Sequence, residues 1–361
     1  MRVGIIGGGQ LARMLALAGY PLGLRFVVLD PAPDACAGQV ADLVLGSYDD
    51  HDRLAQLAER AELATFDFEN VPVAAARFLE QQIPVFPPPQ ALATAQDRLS
   101  EKSLFGKLNI PTPPFAKVDT LEELQATARQ IGLPAVLKTR RLGYDGKGQR
   151  ILRQHSDIEP AWATLCGMPL ILEGFVPFQQ EVSILAVRDR TGVIAFYPLV
   201  DNQHRDGILR LSIAPCLNSD LEGQARDYAA RVLGKLAYVG LLAIEFFVVD
   251  GQLLANEMAP RVHNSGHWTI DGAETSQFEN HLRAILHLPL GSTAPLGFSA
   301  MLNLIGEIPD RNAFLAVPGA HFHDYGKRPR PGRKVGHVTL RADDADTLQA
   351  SLARLLSLLG N

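Results

Sequence analysis

Leu241-Leu242-Ala243-Ile244-Glu245-Phe246-Phe247-Val248-Val249 is a nearly continuous apolar run broken by one carboxylate, and Asp250-Gly251-Gln252-Leu253-Leu254-Ala255-Asn256-Glu257 follows it directly. The first run predicts a strand, Asp250-Gly251 a hairpin turn, and Leu253 to Glu257 the return strand. A turn centred on Gly251 puts Glu245 opposite Glu257. A turn shifted by one residue puts Glu245 opposite Asn256 instead. Facing carboxylates on a half-buried sheet repel, and burying them unpaired is costly. A hard cation held between them removes both problems. Magnesium fits, because one or two protein carboxylates suffice when phosphate and water complete its shell. The plainer alternative is a wet strand face with two solvated glutamates; the flanking residues are too apolar to favour it.

Working outward, composition sets limits. A chain of 361 residues can form two or three domains with substantial cores. A formal net charge of -5 argues against nucleic acid as a partner, which needs a clustered basic surface. No apolar run approaches the roughly 20 residues that span a bilayer, so no membrane partner is expected. The start, Met1-Arg2-Val3-Gly4-Ile5-Ile6-Gly7, runs straight into a glycine turn, unlike a signal peptide. Cys36, Cys166 and Cys216 are odd in number and widely spaced. They suggest a reducing, cytoplasmic setting and three buried structural thiols.

Three parts are expected. Residues 1–95 alternate strand and helix: strand Val3 to Ile6, helix Gln10 to Ala18, strand Arg25 to Asp30, helix Asp50 to Ala61, strand Leu63 to Phe66. That alternation implies a parallel sheet. Pro84 to Pro89 marks a boundary, and residues 96–290 form a mixed α+β centre. Residues 291–361 open on strand Ala300 to Ile305 and close on a helix from Asp344 to Leu359.

Gly7-Gly8-Gly9-Gln10-Leu11-Ala12 lies between a strand and a helix, where glycines allow a tight turn and the helix N-terminus offers N–H groups to an anion. Asp30 follows at the distance of a ribose-binding acid. Alone, the motif fits a dinucleotide, another anion, or a turn needed only for packing. Lys138 sits on the apolar strand Ala135 to Thr139 and needs an anionic partner. The next segment carries three glycines and three cations, Arg140, Arg141 and Lys147. It can fold over phosphates, or be a hairpin loop whose lysine reaches water. Glu173 ends the apolar strand Leu170 to Leu172. Glu181, on the strand after it, can hold a ribose or pair with Lys138; read singly, both are strand-end charges.

In order, lysine strand, glycine loop, Glu-x-x-Val segment, acidic strand and Asn-Glu strand resemble the ATP-grasp superfamily. More narrowly, the chain resembles the N5-carboxyaminoimidazole ribonucleotide synthase family. The likeness rests on Gly8 to Leu11, Thr65 to Pro72, Gln96-Asp97-Arg98, Lys138 to Gln149, Glu173 to Val176, His204 to Arg210, Asn256 to His267, Ser276 to His281 and Arg330 to His337. Two positions depart from it: Leu142 and Ala12 stand where glycine is common.

The resemblance implies an α/β and α+β chain: a Rossmann-like pre-ATP-grasp domain (1–95), an ATP-grasp domain (96–290, with a lid at about 110–175) and a small C-terminal domain (291–361). It implies a cytoplasmic homodimer that uses ATP and bicarbonate to carboxylate 5-aminoimidazole ribonucleotide through carboxyphosphate, with one or two magnesium ions on Glu245 and Glu257. ATP falls to Arg98, Lys138, Gly143, Tyr144, Asp145, Gly146, Lys147, Gly148, Gln149, Glu173, Gly174, Phe175, Val176, Glu181, His204, Asn256 and Glu257. Tyr144, Asp145, Glu69, Arg261 and His263 fall at the reacting groups. Gln10, Leu11, Glu69, Asn264, Ser265, Lys327, Arg330, Arg333 and Lys334 fall to the ribonucleotide, the basic stretch holding its phosphate. The alternatives are a formate-dependent glycinamide ribonucleotide transformylase, another ATP-grasp ligase and, from the first motif alone, an NAD-dependent oxidoreductase.

Overall fold

The computed structural model describes residues 1–143 and 147–359. Three sheets organise it. The first has four parallel strands in the order Asp42–Leu45, Arg25–Asp30, Arg2–Ile6, Leu63–Phe66. Helix Gln10–Gly19 leaves the first of these strands through the glycine turn. Its Leu11 and Leu15 share a core with Trp268, Phe278 and Leu282 of the central region. That packing fixes the turn against the centre of the molecule.

A second, antiparallel four-stranded sheet runs Phe115–Val118, Leu170–Gly174, Ala135–Thr139, Gln149–Leu152. It carries Lys138 and Glu173 on adjacent strands. Helices Leu121–Ile131 and Ile158–Leu165 cover one face, with Leu124, Ala128, Ile158 and Leu165 buried against Leu137 and Leu172.

The third sheet has nine strands. Its main path is Gln252–Ala259, Gly240–Val249, Gln180–Arg188, Val200–Arg205, Ile208–Ala214, Phe298–Ile305, Lys334–Ala342, Ala320–Asp324, and Ile194–Phe196 also pairs with Gln180–Arg188. The chain's last strands therefore extend the central sheet, a continuity invisible in local patterning because residues 211–214 pair with residues 299–302. Helix Ala345–Ser357 buries Leu348, Leu352 and Leu355, one helical stripe, on this extension. Among the described residues no helix is long and apolar enough to cross a membrane.

Candidate active site

The acidic hairpin has a mixed register. Asp250 and Gly251 both take positive φ, 48° and 74°, so they form the turn itself. Pairs therefore run Val249 with Gln252 through Phe246 with Ala255, the shifted register that alone would set Glu245 against Asn256. An irregularity next to Glu245 absorbs Asn256 as an extra residue, and Glu245 lands opposite Glu257. Burial, and then the Glu257 charge, pushes the Glu245 carboxyl up to about 7. Burial also works against ionisation of Glu257, but Arg98, 3.0 Å away, outweighs it and holds that carboxyl below its ordinary value. A dication suits this pair, because it would relieve the carboxyl that now carries unfavourable charge. Among the described residues no group of three or more His, Cys, Asp or Glu side chains forms a closed metal site; a pair is enough where phosphates supply further oxygens.

Helix Arg98–Lys107 feeds the same place. Arg98, Glu101 and Lys102 share one helical face. Arg98 reaches Glu257, and Glu101 Oε1 accepts the Met258 N–H at 2.6 Å. Lys102 Nζ donates to the Asn256 carbonyl at 3.1 Å and lies 3.4 Å from Glu173 Oε2. Lys138 Nζ donates to the same Glu173 oxygen at 2.9 Å. Lys138 therefore pairs with Glu173; Glu181, for which a ribose or Lys138 was open, pairs with His204. Glu173 is 2 % exposed and no solvated strand end. Burial pushes its carboxyl up, but Lys138 and Lys102 outweigh that and bring it down to about 2. Burial is the larger influence on Lys138, whose ammonium is held below its ordinary value. For His204 burial opposes the charge, and Glu181, Glu245 and Glu257 overcome it, raising the imidazole.

Arg140 and Arg141 do not point over a phosphate loop. Asp97 takes Arg140 through both oxygens, at 3.0 and 2.6 Å, and Arg141 at 3.3 Å. The same Asp97 caps helix Arg98–Lys107 at the N–H groups of Leu99 and Ser100. The root of the glycine loop is thus tied to the helix that carries Arg98. Leu142 adopts φ 62°, the left-handed conformation that glycine takes freely, which is why a glycine there would be easier. Tyr144, Asp145 and Gly146 lie outside the described residues. Lys147, Gln149, Arg98, Lys138, Glu181, His204, Glu245, Phe247, Asn256 and Glu257 line a cavity of about 330 Å³. Gly148 sits beside it, facing the Thr139 side chain. Gly174 packs on Pro114, and Phe175, exposed, and Val176 follow at the strand end.

A second cavity, about 420 Å³, opens on the other side and shares Glu245, Glu257, His204 and Gly207 with the first. Gln10, Leu11, Glu69, Gly143, Arg261, His263, Asn264 and Lys334 line it. Glu69 and Arg261 form an ion pair, and Asn264 exchanges two amide hydrogen bonds with Asn303, at 3.0 and 2.8 Å. The glycine turn forms its floor. Asp30 also lines this cavity, and its carboxylate accepts Gly8 N–H at 2.7 Å, Tyr48 O–H at 2.9 Å and Ala32 N–H at 2.8 Å. Asp67, which the sequence reading gave no role, lies under the turn, so close that a Cβ on Gly7 or Gly9 would strike it. Burial pushes its carboxyl up to about 6.

The basic stretch divides. Lys334 faces the large cavity. Lys327 donates to Gln10 Oε1, and with Arg333 it lines an adjoining cavity of about 260 Å³ beside Ala35, Gly38 and Gln39. Arg330 is exposed. Ser265 is buried and shielded from the cavity, and His267 is a buried histidine with Nδ1 3.3 Å from Gln277 Nε2. Cys36 is buried as expected, but Cys166 is exposed and Cys216 only half-buried. Lys102 and Glu101 had no sequence signal: charges on a short helix read as a solvent face, and only the fold shows what covers them. Asp97 stands in the sequence only as part of Gln96-Asp97-Arg98, with no role attached.

Comparison with known proteins agrees with this geometry. Residues 103–278 match the ATP-grasp domain, residues 1–96 the ribonucleotide synthetase preATP-grasp domain, and residues 299–351 the phosphoribosylaminoimidazole carboxylase C-terminal domain. The N5-carboxyaminoimidazole ribonucleotide synthase of Pseudomonas aeruginosa is 58 % identical over 359 residues, covering 99 % of both chains. The chain belongs to the N5-carboxyaminoimidazole ribonucleotide synthase family. Within this family of ATP-grasp ligases, the crystal structure from Thermus thermophilus superposes with a TM-score of 0.96 at 60 % identity, over 99 % of this chain and 98 % of that one. The Aspergillus clavatus synthase, solved with ADP and 5-aminoimidazole ribonucleotide, superposes with a TM-score of 0.93 at 30 % identity, over 99 % and 98 %. The family's three-part architecture is the one expected from the motifs, and the preATP-grasp match over residues 1–96 displaces the dinucleotide reading of the glycine turn.

Proposed function

We propose that this chain carboxylates the exocyclic amine of 5-aminoimidazole ribonucleotide in purine biosynthesis, using ATP and bicarbonate. The observation that carries the reading is the pair of cavities meeting at Glu245, Glu257 and His204. One suits a nucleotide, the other a ribonucleotide, and the shared wall is where a group passes between them.

ATP transfers its γ-phosphoryl group to a bicarbonate oxygen, giving carboxyphosphate and ADP. The amine nitrogen then bonds to the carboxyl carbon of that species, or of carbon dioxide released from it, as phosphate departs and the amine loses a proton. Phosphoryl transfer asks mainly for alignment and charge neutralisation. Lys138 is placed to exchange Glu173 for ATP phosphates, and Arg98 and His204 add positive charge to the same wall. Glu245 and Glu257 would hold magnesium, which when bound neutralises phosphate charge. Glu69, Arg261, His263 and Asn264 surround the imidazole and bicarbonate, and Lys334, Lys327 and Arg333 take the ribonucleotide phosphate. By family position Tyr144 and Asp145 of the glycine loop act at the reacting groups, and closure of that loop would keep water from carboxyphosphate.

The test is phosphate release with ATP and magnesium, with and without each co-substrate. Release that requires both aminoimidazole ribonucleotide and bicarbonate is expected. A requirement for formate in place of bicarbonate would give the chain to the transformylase reading.

A further inference from the structure

A buried line of polar side chains runs through the central sheet to the second cavity. Ser212 and Asn202 face each other on adjacent strands, Ser183 lies on the next, and Ser265 follows His263 in a single helical turn. Ser183, Ser212 and Ser265 have no exposed surface, and Asn202 is 4 % exposed. The links are Ser212 Oγ to Asn202 Oδ1, Asn202 Nδ2 to Ser183 Oγ and Ser183 Oγ to Ser265 Oγ, each 2.8 Å. Ser265 Oγ is 2.9 Å from His263 Nδ1.

One backbone group sets the direction of the whole line. The Ser265 N–H points at His263 Nδ1, 3.3 Å away, and a backbone N–H can only donate. Nδ1 is therefore an acceptor, and the proton of the neutral ring sits on Nε2. The Ser265 hydroxyl must then donate to Nδ1. Its only proton is used, so Ser183 must donate to Ser265. Ser183 in turn needs a donor, which the Asn202 amide supplies, and the Asn202 carbonyl takes the Ser212 hydroxyl. Each link from Ser212 to Nδ1 then has one donor and one acceptor, and its direction is fixed.

We propose that Ser212, Asn202, Ser183 and Ser265 are positioning residues that fix His263 with its proton on Nε2, so that the ring offers the carboxylation cavity a hydrogen-bond donor and not a base. This rests on the carboxylation reading above. His263 Nε2 lies 3.5 Å from Glu245 Oε1 at the wall both cavities share. A donor there suits an oxygen of bicarbonate or carboxyphosphate. The proton lost by the substrate amine must go to another group, since Nε2 is already protonated.

The full chain labelled with ¹⁵N-histidine decides the tautomer by two-bond proton–nitrogen correlation at neutral pH, with the His263 signals assigned by their loss in His263→Gln. Protonated Nε2 and bare Nδ1 are expected; a proton on Nδ1 overturns the proposal. Asn202→Asp tests the line itself. A carboxylate only accepts, so Ser183 turns to it, Ser265 turns to Ser183, and Nδ1 loses its hydroxyl donor. The expected result is a changed His263 spectrum and a KM for bicarbonate raised about 10-fold, the scale of one hydrogen bond, with the KM for ATP unchanged. An unchanged spectrum and KM, or equal changes for ATP and bicarbonate, would reduce the line to a structural feature. Wild-type protein without bicarbonate-dependent phosphate release would instead sink the carboxylation reading, and the spectrum would still report on the tautomer.

Discussion

Cations on the two sides of the cleft are held differently. On the nucleotide side Arg98, Lys102 and Lys138 meet carboxylates, Glu257 and Glu173, and Lys102 has no exposed surface. On the basic loop Lys327 meets the amide oxygen of Gln10 and Arg333 the carbonyl of Arg328. The first arrangement is an internal salt network joined through buried carboxylates. The second presents Lys327 and Arg333 to neutral oxygens, which an anion displaces at small cost, while Arg328 beside them lies 3.7 Å from Asp34. Substitutions on the nucleotide side should therefore disturb the fold, and those on the basic loop should disturb binding alone.

The largest expected effect is at Glu173. Glu173→Ala leaves Lys102 and Lys138 buried without their shared carboxylate, and breaking a buried pair from one side costs about 3–5 kcal/mol. Arg330→Ala, on the exposed part of the basic loop, should stay within about 0.5 kcal/mol. Urea unfolding of both variants measures the contrast; equal midpoints would erase the distinction between the two sides.

Asp67 extends the comparison to the glycine turn, where a buried carboxyl has no ion pair among the described residues. Its value is about 6 in the folded chain against an ordinary 3.8. The folded state then holds the proton more tightly than the unfolded one. The resulting stability is fully present below about pH 4 and is lost as pH rises through about 6, amounting to about 3 kcal/mol. Asp67→Asn removes that loss, so its stability relative to the parent should grow between pH 4 and pH 7. Parallel curves of unfolding free energy against pH for the two proteins would show that Asp67 does not titrate in this range.

Glu257→Gln acts on the wall both cavities share. It keeps the shape of the hairpin but removes one carboxylate from the magnesium pair and the counter-charge of Arg98. Turnover should fall at least about 100-fold, the scale of a lost electrostatic contact in a transition state. Normal turnover at low magnesium would leave Glu257 as a strand carboxylate whose work is only to hold Arg98.

Sequence carried the architecture because its signals are local. Strands such as Arg25–Asp30 and Leu63–Phe66 appear where alternation and turn residues place them. The hairpin register was legible only as two alternatives, and both contribute: the turn follows one, and the bulge at Asn256 restores the other. The partner of Lys138 stays open in the sequence because Glu173 and Glu181 are near one another along the chain, and only strand order decides which faces the lysine. Lys102, Asp67 and the line from Ser212 to His263 were not legible at all. Each depends on contacts between segments that lie far apart along the chain, and none has a spacing that announces it.

The smallest effect sharpens the comparison most. Lys327 and Arg333 line one cavity, and Lys327 reaches Gln10 at the N-terminus of helix Gln10–Gly19, an end that favours an anion although Asp67 already takes the Ala12 N–H. If they hold the ribonucleotide phosphate, Lys327→Ala or Arg333→Ala removes one charge-assisted hydrogen bond, about 1.5 kcal/mol at the lower end for half-exposed groups. The KM for aminoimidazole ribonucleotide should then rise about 10-fold, with the KM for ATP and the melting temperature unchanged. Lys138→Ala should do the reverse: ATP weakens, and the melting temperature falls because Glu173 loses its nearer partner. Both Michaelis constants and the melting temperature, measured for the three variants, separate the two sides. Equal effects of Arg333→Ala on both substrates, with unchanged melting, would mean that the basic loop serves the whole cleft and that the division drawn between its cations and the nucleotide-side network is wrong.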